Sequence, residues 1–268
     1  MPESRTVTVD GARVAYRMQG GGPAVVLVNG TAALDMHWGP VIPALAKRRT
    51  VISLDYSGSG ETVDDGRTLS LETLANQVVG VAEAAGLQCF DLVGHSLGAA
   101  VAIQVAALNP GLVRSITAVA GFALGSEPRL QLQFELWLDL LRADRAAFLR
   151  LLLLTGLTPK FVSGLGLSAI NDMVDGYMPF ANWDGILRQV ELDLAVDVRE
   201  QVSKIESPAL VVHCAHDQIV TQTPALAASI AGSTFRQIDA GHLAYFEAGE
   251  EFVSLLTEFL GRNRAGAV

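Results

Sequence analysis

Cysteine, charge and aromatic residues are all scarce in this chain of 268 residues. It has two cysteines, 18% charged residues and 6% aromatic residues. Two cysteines cannot build a disulfide scaffold. Cys89 and Cys214 each border an apolar strand-like run, so both are expected to be buried thiols in a reducing compartment. Positive charge is scarcest: 19 Lys and Arg stand against 28 Asp and Glu, a net charge of −9. The largest basic block is Lys47-Arg48-Arg49. Phosphate backbones and anionic membrane surfaces both need concentrated positive charge, so neither nucleic acid nor membrane is an expected partner. No apolar run approaches the ~20 residues of a membrane span. No apolar stretch follows Met1-Pro2-Glu3-Ser4-Arg5, so no signal peptide is expected and the expected location is cytoplasmic. His-Glu-x-x-His and zinc-like cysteine spacings are missing, which leaves no expected metal. Gly58-Ser59-Gly60 is followed by Glu61, Thr62 and Val63 without a third glycine, so no dinucleotide cofactor is expected either.

What the chain has in abundance is apolar residues, 50% of the total. That balance excludes disorder, and a chain of this length buries about 70–75% of the surface its unfolded form exposes. Residues 6–9 and 13–17 alternate polar and apolar around Asp10-Gly11, the signature of a two-residue hairpin. The pattern then changes to solid apolar runs at 24–28, 51–54, 90–93, 116–120, 209–212 and 235–238, as expected for strands buried on both faces. Helical spacings separate them at 69–85, 97–108, 224–230 and 252–260. Such alternation implies an α/β fold, a mostly parallel twisted sheet with helices on both faces. Almost 90 residues without a strand signal lie between 121 and 209, too long for a structureless loop. Residues 123–202 therefore read as a helical lid, with 1–122 and 203–268 forming the core domain.

The sharpest local signal is Gly94-His95-Ser96-Leu97-Gly98, set between a buried strand and a helix. That context turns a common five-residue pattern into a nucleophile elbow: a serine on a strained turn projects from the carboxyl edge of the sheet. A serine hydroxyl needs a base, and the base needs an orienting acid. Of His37, His95, His213, His216 and His242, the last lies on a loop after the final strand, at the same sheet edge as Ser96. His95 is expected to pack in the turn, His213 to be a satisfied core histidine, and His37 to lie at the surface or line the site. The acid is expected from another strand end. Asp217, after the fifth solid strand, fits better than Asp239, which competes only by its nearness to His242, while Asp55 suits a structural role. Two backbone N–H groups complete the constellation as oxyanion donors: Leu97, after the nucleophile, and Thr31, in the Asn29-Gly30-Thr31-Ala32 turn.

Together these motifs resemble the α/β-hydrolase family along the whole chain. The order Ser96, Asp217, His242 is that family's order, and Asp55-Tyr56-Ser57-Gly58-Ser59-Gly60 resembles its Asp-x-x-Gly-x-Gly loop. Two positions depart from the pattern: Asn29 stands where the family has a histidine, and Cys214 where it often has glycine. The resemblance implies a serine hydrolase acting on an ester-type bond in a small, largely apolar substrate. Thioester, lactone, amide and carbon–carbon bond hydrolysis remain open, as does a non-hydrolytic cyclase or binding protein on the same fold. Asn29 with Met36-His37-Trp38 resembles enol-lactonases over a short stretch. Trp38 and, from the leucine-rich lid, Trp137 are the expected pocket residues.

Overall fold

The computed structural model describes residues 2–32, 38–39 and 41–262. The chain opens with β1 (Arg5–Val9) and β2 (Ala12–Gly20), paired antiparallel through Asp10 and Gly11, both with positive φ. There follow β3 (Ala24–Val28), α1 (Val41–Ala46), β4 (Thr50–Asp55), α2 (Leu71–Ala84), β5 (Phe90–His95), α3 (Leu97–Leu108) and β6 (Val113–Val119). A helical insertion comes next: α4 (Pro128–Ala143), α5 (Arg145–Gly156), α6 (Pro159–Tyr177) and α7 (Trp183–Ala195). The chain returns through α8 (Arg199–Val202) to β7 (Ala209–Cys214), α9 (Thr223–Ser229), β8 (Thr234–Ile238), α10 (Ala244–Glu247) and α11 (Gly249–Arg262). Among the described residues the strands form one sheet in the order β1-β2-β4-β3-β5-β6-β7-β8. Every pairing from β4 to β8 is parallel.

Strand parity explains the two cores. In β3, Val26 and Val28 face α2, α3 and the insertion, while Val25 and Leu27 face α1 and α11. All five residues of β3 are buried, which is why the run is solidly apolar rather than alternating. Local signals fix the helix ends. Ser70, in extended conformation, accepts the Thr73 N–H at 3.1 Å and opens α2; Asp144 likewise accepts from Ala147 at 3.0 Å and separates α4 from α5.

The insertion packs on the sheet face. Its two ends are stitched together by hydrogen bonds from Gly125 N to Val196 O (2.8 Å) and from Val198 N to Ala123 O (2.9 Å). Its buried Leu130, Phe134, Trp137 and Val190 belong to the same apolar cluster as the sheet face. The short α8, inside the span read as lid, packs on α3 of the core. Cys89 also departs from expectation: β5 begins one residue later, so this thiol is exposed, and only Cys214 is buried. No described helix is long and apolar enough to cross a membrane.

Candidate active site

Ser96 joins β5 to α3 with φ 55° and ψ −120°, a left-handed conformation that a residue with a Cβ rarely adopts. The elbow holds that strain because its flanking glycines let backbone touch backbone. A Cβ on Gly94 would strike the Gly98 carbonyl, and one on Gly98 would strike the carbonyls of Val28 and Asn29. The result packs the loop after β3 directly onto the serine: a Cβ on Gly30 would lie 3.0 Å from Ser96 Cβ. Thr31 follows in that loop. Leu97 is the first residue of α3, so its N–H has no intrahelical acceptor.

The residues expected to form the relay come together in part through one short contact. His242 Nδ1 and Asp217 Oδ2 are 2.7 Å apart, and both side chains are buried. The other carboxylate oxygen of Asp217 accepts the N–H groups of Ile219 and Val220, each at 2.8 Å, so the acid is held from both sides. His95 ties the histidine loop to the elbow. Its Nε2 lies 3.0 Å from the His242 carbonyl, and the two rings are 4.6 Å apart. His95 is thus a buried packing residue, as expected. Asp239 does not compete for His242; it pairs with the exposed His216 at 2.8 Å. Asp55 is structural, accepting the Glu61 N–H at 3.0 Å. No group of three or more His, Cys, Asp or Glu among the described residues is arranged to hold a metal.

Several expectations need correcting. His213 is only part-buried. It stacks on Phe235, burial pushes its imidazole pKa down, and its Nδ1 has no hydrogen-bond partner among the described residues, so it is not a satisfied core histidine. Trp38 belongs to the apolar cluster on the α1–α11 face, stacked on Phe252 and edge-on to His95. That is the face opposite the insertion. Trp38 also borders a cavity of about 290 Å³ with Arg17, Asn29, Ser53 and Asp55, but none of Ser96, Asp217 and His242 lines it. Its contacts make Trp38 a packing residue behind the histidine loop, and the cavity it borders is apart from the relay residues. Trp137 lies on the insertion side, between Phe134 and Phe148, and a chain of ring contacts runs from it through Phe134 to Phe122, just after β6. Met36 and His37 lie outside the described residues.

Sequence reasoning missed how the insertion grips all three loops. On the acid loop, the Arg129 guanidinium donates to the Gln218 carbonyl at 2.5 Å. On the histidine loop, Leu243 N donates to Gly156 O at 3.0 Å. There, too, Glu247 accepts the N–H groups of Gly241 and Thr158, at 3.0 and 3.1 Å. On the loop after β3, Gln189 Oε1 accepts the Ala32 N–H at 3.0 Å, Thr31 Oγ1 donates to Asp193 Oδ2 at 2.6 Å, and the Tyr177 hydroxyl donates to the Ala32 carbonyl. The signal for the last set was present: Gly185, Gln189 and Asp193 recur at every fourth position of α7 and therefore share one helix face.

Asp193 is only 1% exposed, and burial pushes its pKa up to about 8, with the Thr31 hydrogen bond opposing. A carboxyl raised this far favours folding below the ordinary carboxylate range, and that contribution is lost as the pH climbs to about 8. Replacing Asp193 with Asn removes the ionisation. The stability of that variant relative to the parent should rise steadily from pH 4 to 8 in urea titrations; a constant difference would mean that Asp193 is ionised in the folded state.

Comparison with known proteins bears on the family and the fold. The family described as alpha/beta hydrolase fold matches residues 23–249. A pyrrolizixenacetamide deacetylase of Xenorhabdus hominickii is 46% identical over 257 residues, covering 95% of this chain and 97% of that protein. A putative carbamate hydrolase of Azorhizobium caulinodans is 27% identical, over 93% and 96% of the two chains. The crystal structure of the enol-lactonase from Burkholderia xenovorans LB400 superposes with a TM-score of 0.86 at 22% identity, over 96% of this chain and all of that one. The chain belongs to the alpha/beta hydrolase fold family.

Proposed function

We propose that this protein is a serine hydrolase that removes a short acyl group from a small, largely apolar amide or ester. One observation carries the reading: a buried Asp217–His242 hydrogen bond beside a serine held on a strained strand-to-helix turn. In this account Ser96 Oγ attacks the acyl carbon as His242 takes its proton. The Thr31 and Leu97 N–H groups receive the developing oxyanion. Asp217 fixes the His242 ring with Nδ1 protonated, so that Nε2 is the basic nitrogen. The protonated ring then gives its proton to the leaving nitrogen or oxygen. An amide depends on that last step more than an ester does, because an amine leaves poorly without a proton. Water, deprotonated by the same histidine, hydrolyses the acyl-enzyme.

The choice of an acyl–nitrogen bond as well as an ester draws on the relatives, one a deacetylase acting on an acetamide and one a putative carbamate hydrolase. The lactonase, at 22% identity, bears on fold alone. The apolar character of the substrate draws on Phe122, Phe134 and Trp137, the ring series leading from the insertion toward the end of β6. The scarcity of basic residues in the insertion disfavours a phosphorylated or coenzyme-bound thioester. Turnover of p-nitrophenyl acetate, p-nitrophenyl octanoate and p-nitroacetanilide tests the reading. Both acetyl compounds are expected to react, with acetate favoured over octanoate by at least about tenfold in kcat/KM. Octanoate preference, or no anilide cleavage, would contradict it.

A further inference from the structure

The stripe Gly185-Gln189-Asp193 of α7 faces the loops after β3 and β4. A Cβ on Gly185 would strike the backbone of Gly58, and Gln189 Nε2 donates to Ser59 Oγ at 2.8 Å. One turn further on, Gln189 and Asp193 take hold of Ala32 and Thr31. Ala32 has φ 58°, a left-handed conformation unusual for alanine, and its N–H and carbonyl are both bound, by Gln189 and by Tyr177. A strained peptide next to the expected oxyanion donor is therefore held in place by side chains of the insertion.

We propose that Asp193, acting through the Thr31 hydroxyl, is a positioning residue that sets the Thr31 N–H at the oxyanion site, and that it does so in its neutral form. The proposal rests on the serine-hydrolase reading given above. Its geometry is the 2.6 Å contact between Thr31 Oγ1 and Asp193 Oδ2, a buried carboxyl that forms no ion pair among the described residues. Asp193 Oδ1 has no hydrogen-bond partner among the described residues. The buried side of α4, Leu130, Phe134, Trp137, Leu138 and Leu141, carries no charge. Among the described residues the titratable groups around it are Tyr56, whose hydroxyl donates to the carbonyls of Asn29 and Gly30, and Tyr177. Burial holds both phenols above their ordinary range, so both stay neutral where Asp193 titrates. A neutral carboxyl is what the chemistry needs there. A carboxylate within the same residue contact as the donor would oppose the negative charge that develops on the substrate oxygen. The raised pKa, about 8, keeps Asp193 mostly protonated at neutral pH.

The consequence is an alkaline limb in kcat that belongs to a residue outside the triad. Steady-state hydrolysis of p-nitrophenyl acetate from pH 6.5 to 9.5, with fluorophosphonate labelling alongside, reads it for the parent, Asp193→Ala and Asp193→Asn. The parent is expected to lose kcat as Asp193 ionises near pH 8. Asp193→Ala should lower kcat about 30-fold at pH 7 with little change in KM, because oxyanion binding acts in the transition state. Asp193→Asn, which still accepts from Thr31 and cannot ionise, should restore most of that loss and remove the limb. If Asp193→Ala fails to fold, the limb in Asp193→Asn decides alone. An unchanged limb in Asp193→Asn, or a folded Asp193→Ala with parental kcat, overturns the proposal while leaving the serine mechanism standing. Failure of the parent protein to label at Ser96 overturns the mechanism, and this proposal with it.

Discussion

Ser96→Ala is expected to lower kcat by about 10⁶-fold, the scale at which removal of a triad nucleophile leaves only binding and oxyanion stabilisation. One feature makes the loss this large. No other serine shares the elbow geometry: among the described non-glycine residues only Asp10, Ala32, Ser96 and Ala120 have positive φ, and Ser96 alone of these carries a nucleophilic hydroxyl. The variant should fold, because alanine fits wherever serine does and the Ser96 N–H still donates to the Val119 carbonyl at 2.9 Å. Unchanged circular dichroism with a small residual turnover, the part due to binding and oxyanion stabilisation, is the expected pair of results. Retention of more than a hundredth of the parental kcat would move the nucleophile elsewhere.

Asp217→Asn is expected to cost roughly 10⁴-fold in kcat. Asp217 Oδ1 is already committed to the N–H groups of Ile219 and Val220, so it must remain the carbonyl oxygen in the amide variant. That leaves the new NH₂ group aimed at His242 Nδ1. An NH₂ group can only donate, so Nδ1 must give up its proton and accept. The proton then sits on Nε2, where the ring cannot act as base toward Ser96. The loss is therefore one of tautomer rather than of folding, and KM should change little. Asp239→Asn is the control: its partner is the exposed His216, and its kcat should stay within about twofold of the parent. Equal losses in the two variants would contradict the assignment of the acid.

Much of this was legible before any coordinates, because the decisive features are local. Asp10-Gly11 between alternating segments specifies a hairpin, and β1 and β2 pair there. The run at 24–28 is apolar throughout because both its faces are covered, and β3 has those same bounds. Gly94 and Gly98 flank a serine between strand and helix, and the elbow needs both because backbone fills the space where their Cβ atoms would be. What the sequence hid is long-range or depends on parity. Trp38 follows β3 by ten residues, and nothing in its neighbours says that it packs on the α11 face against Phe252. Cys89 differs from a buried thiol by one residue of strand register. The grip of Gln189 and Asp193 on the loop after β3 spans almost 160 residues of chain, with separations of 157 and 162. A single sequence carries no pairing information across such a gap. Their spacing marks a shared face, but not what that face touches.

The account turns on an activated serine, and covalent capture measures that without knowledge of the substrate. The folded protein is incubated with a fluorophosphonate and digested, and the modified peptide is sequenced by mass spectrometry, with Ser96→Ala and His242→Ala in parallel. The account predicts a single stoichiometric adduct on Ser96 in the parent, none at any other residue in Ser96→Ala, and labelling slowed by at least about a hundredfold in His242→Ala. An unlabelled parent protein, or labelling at Ser96 that does not depend on His242, would contradict it.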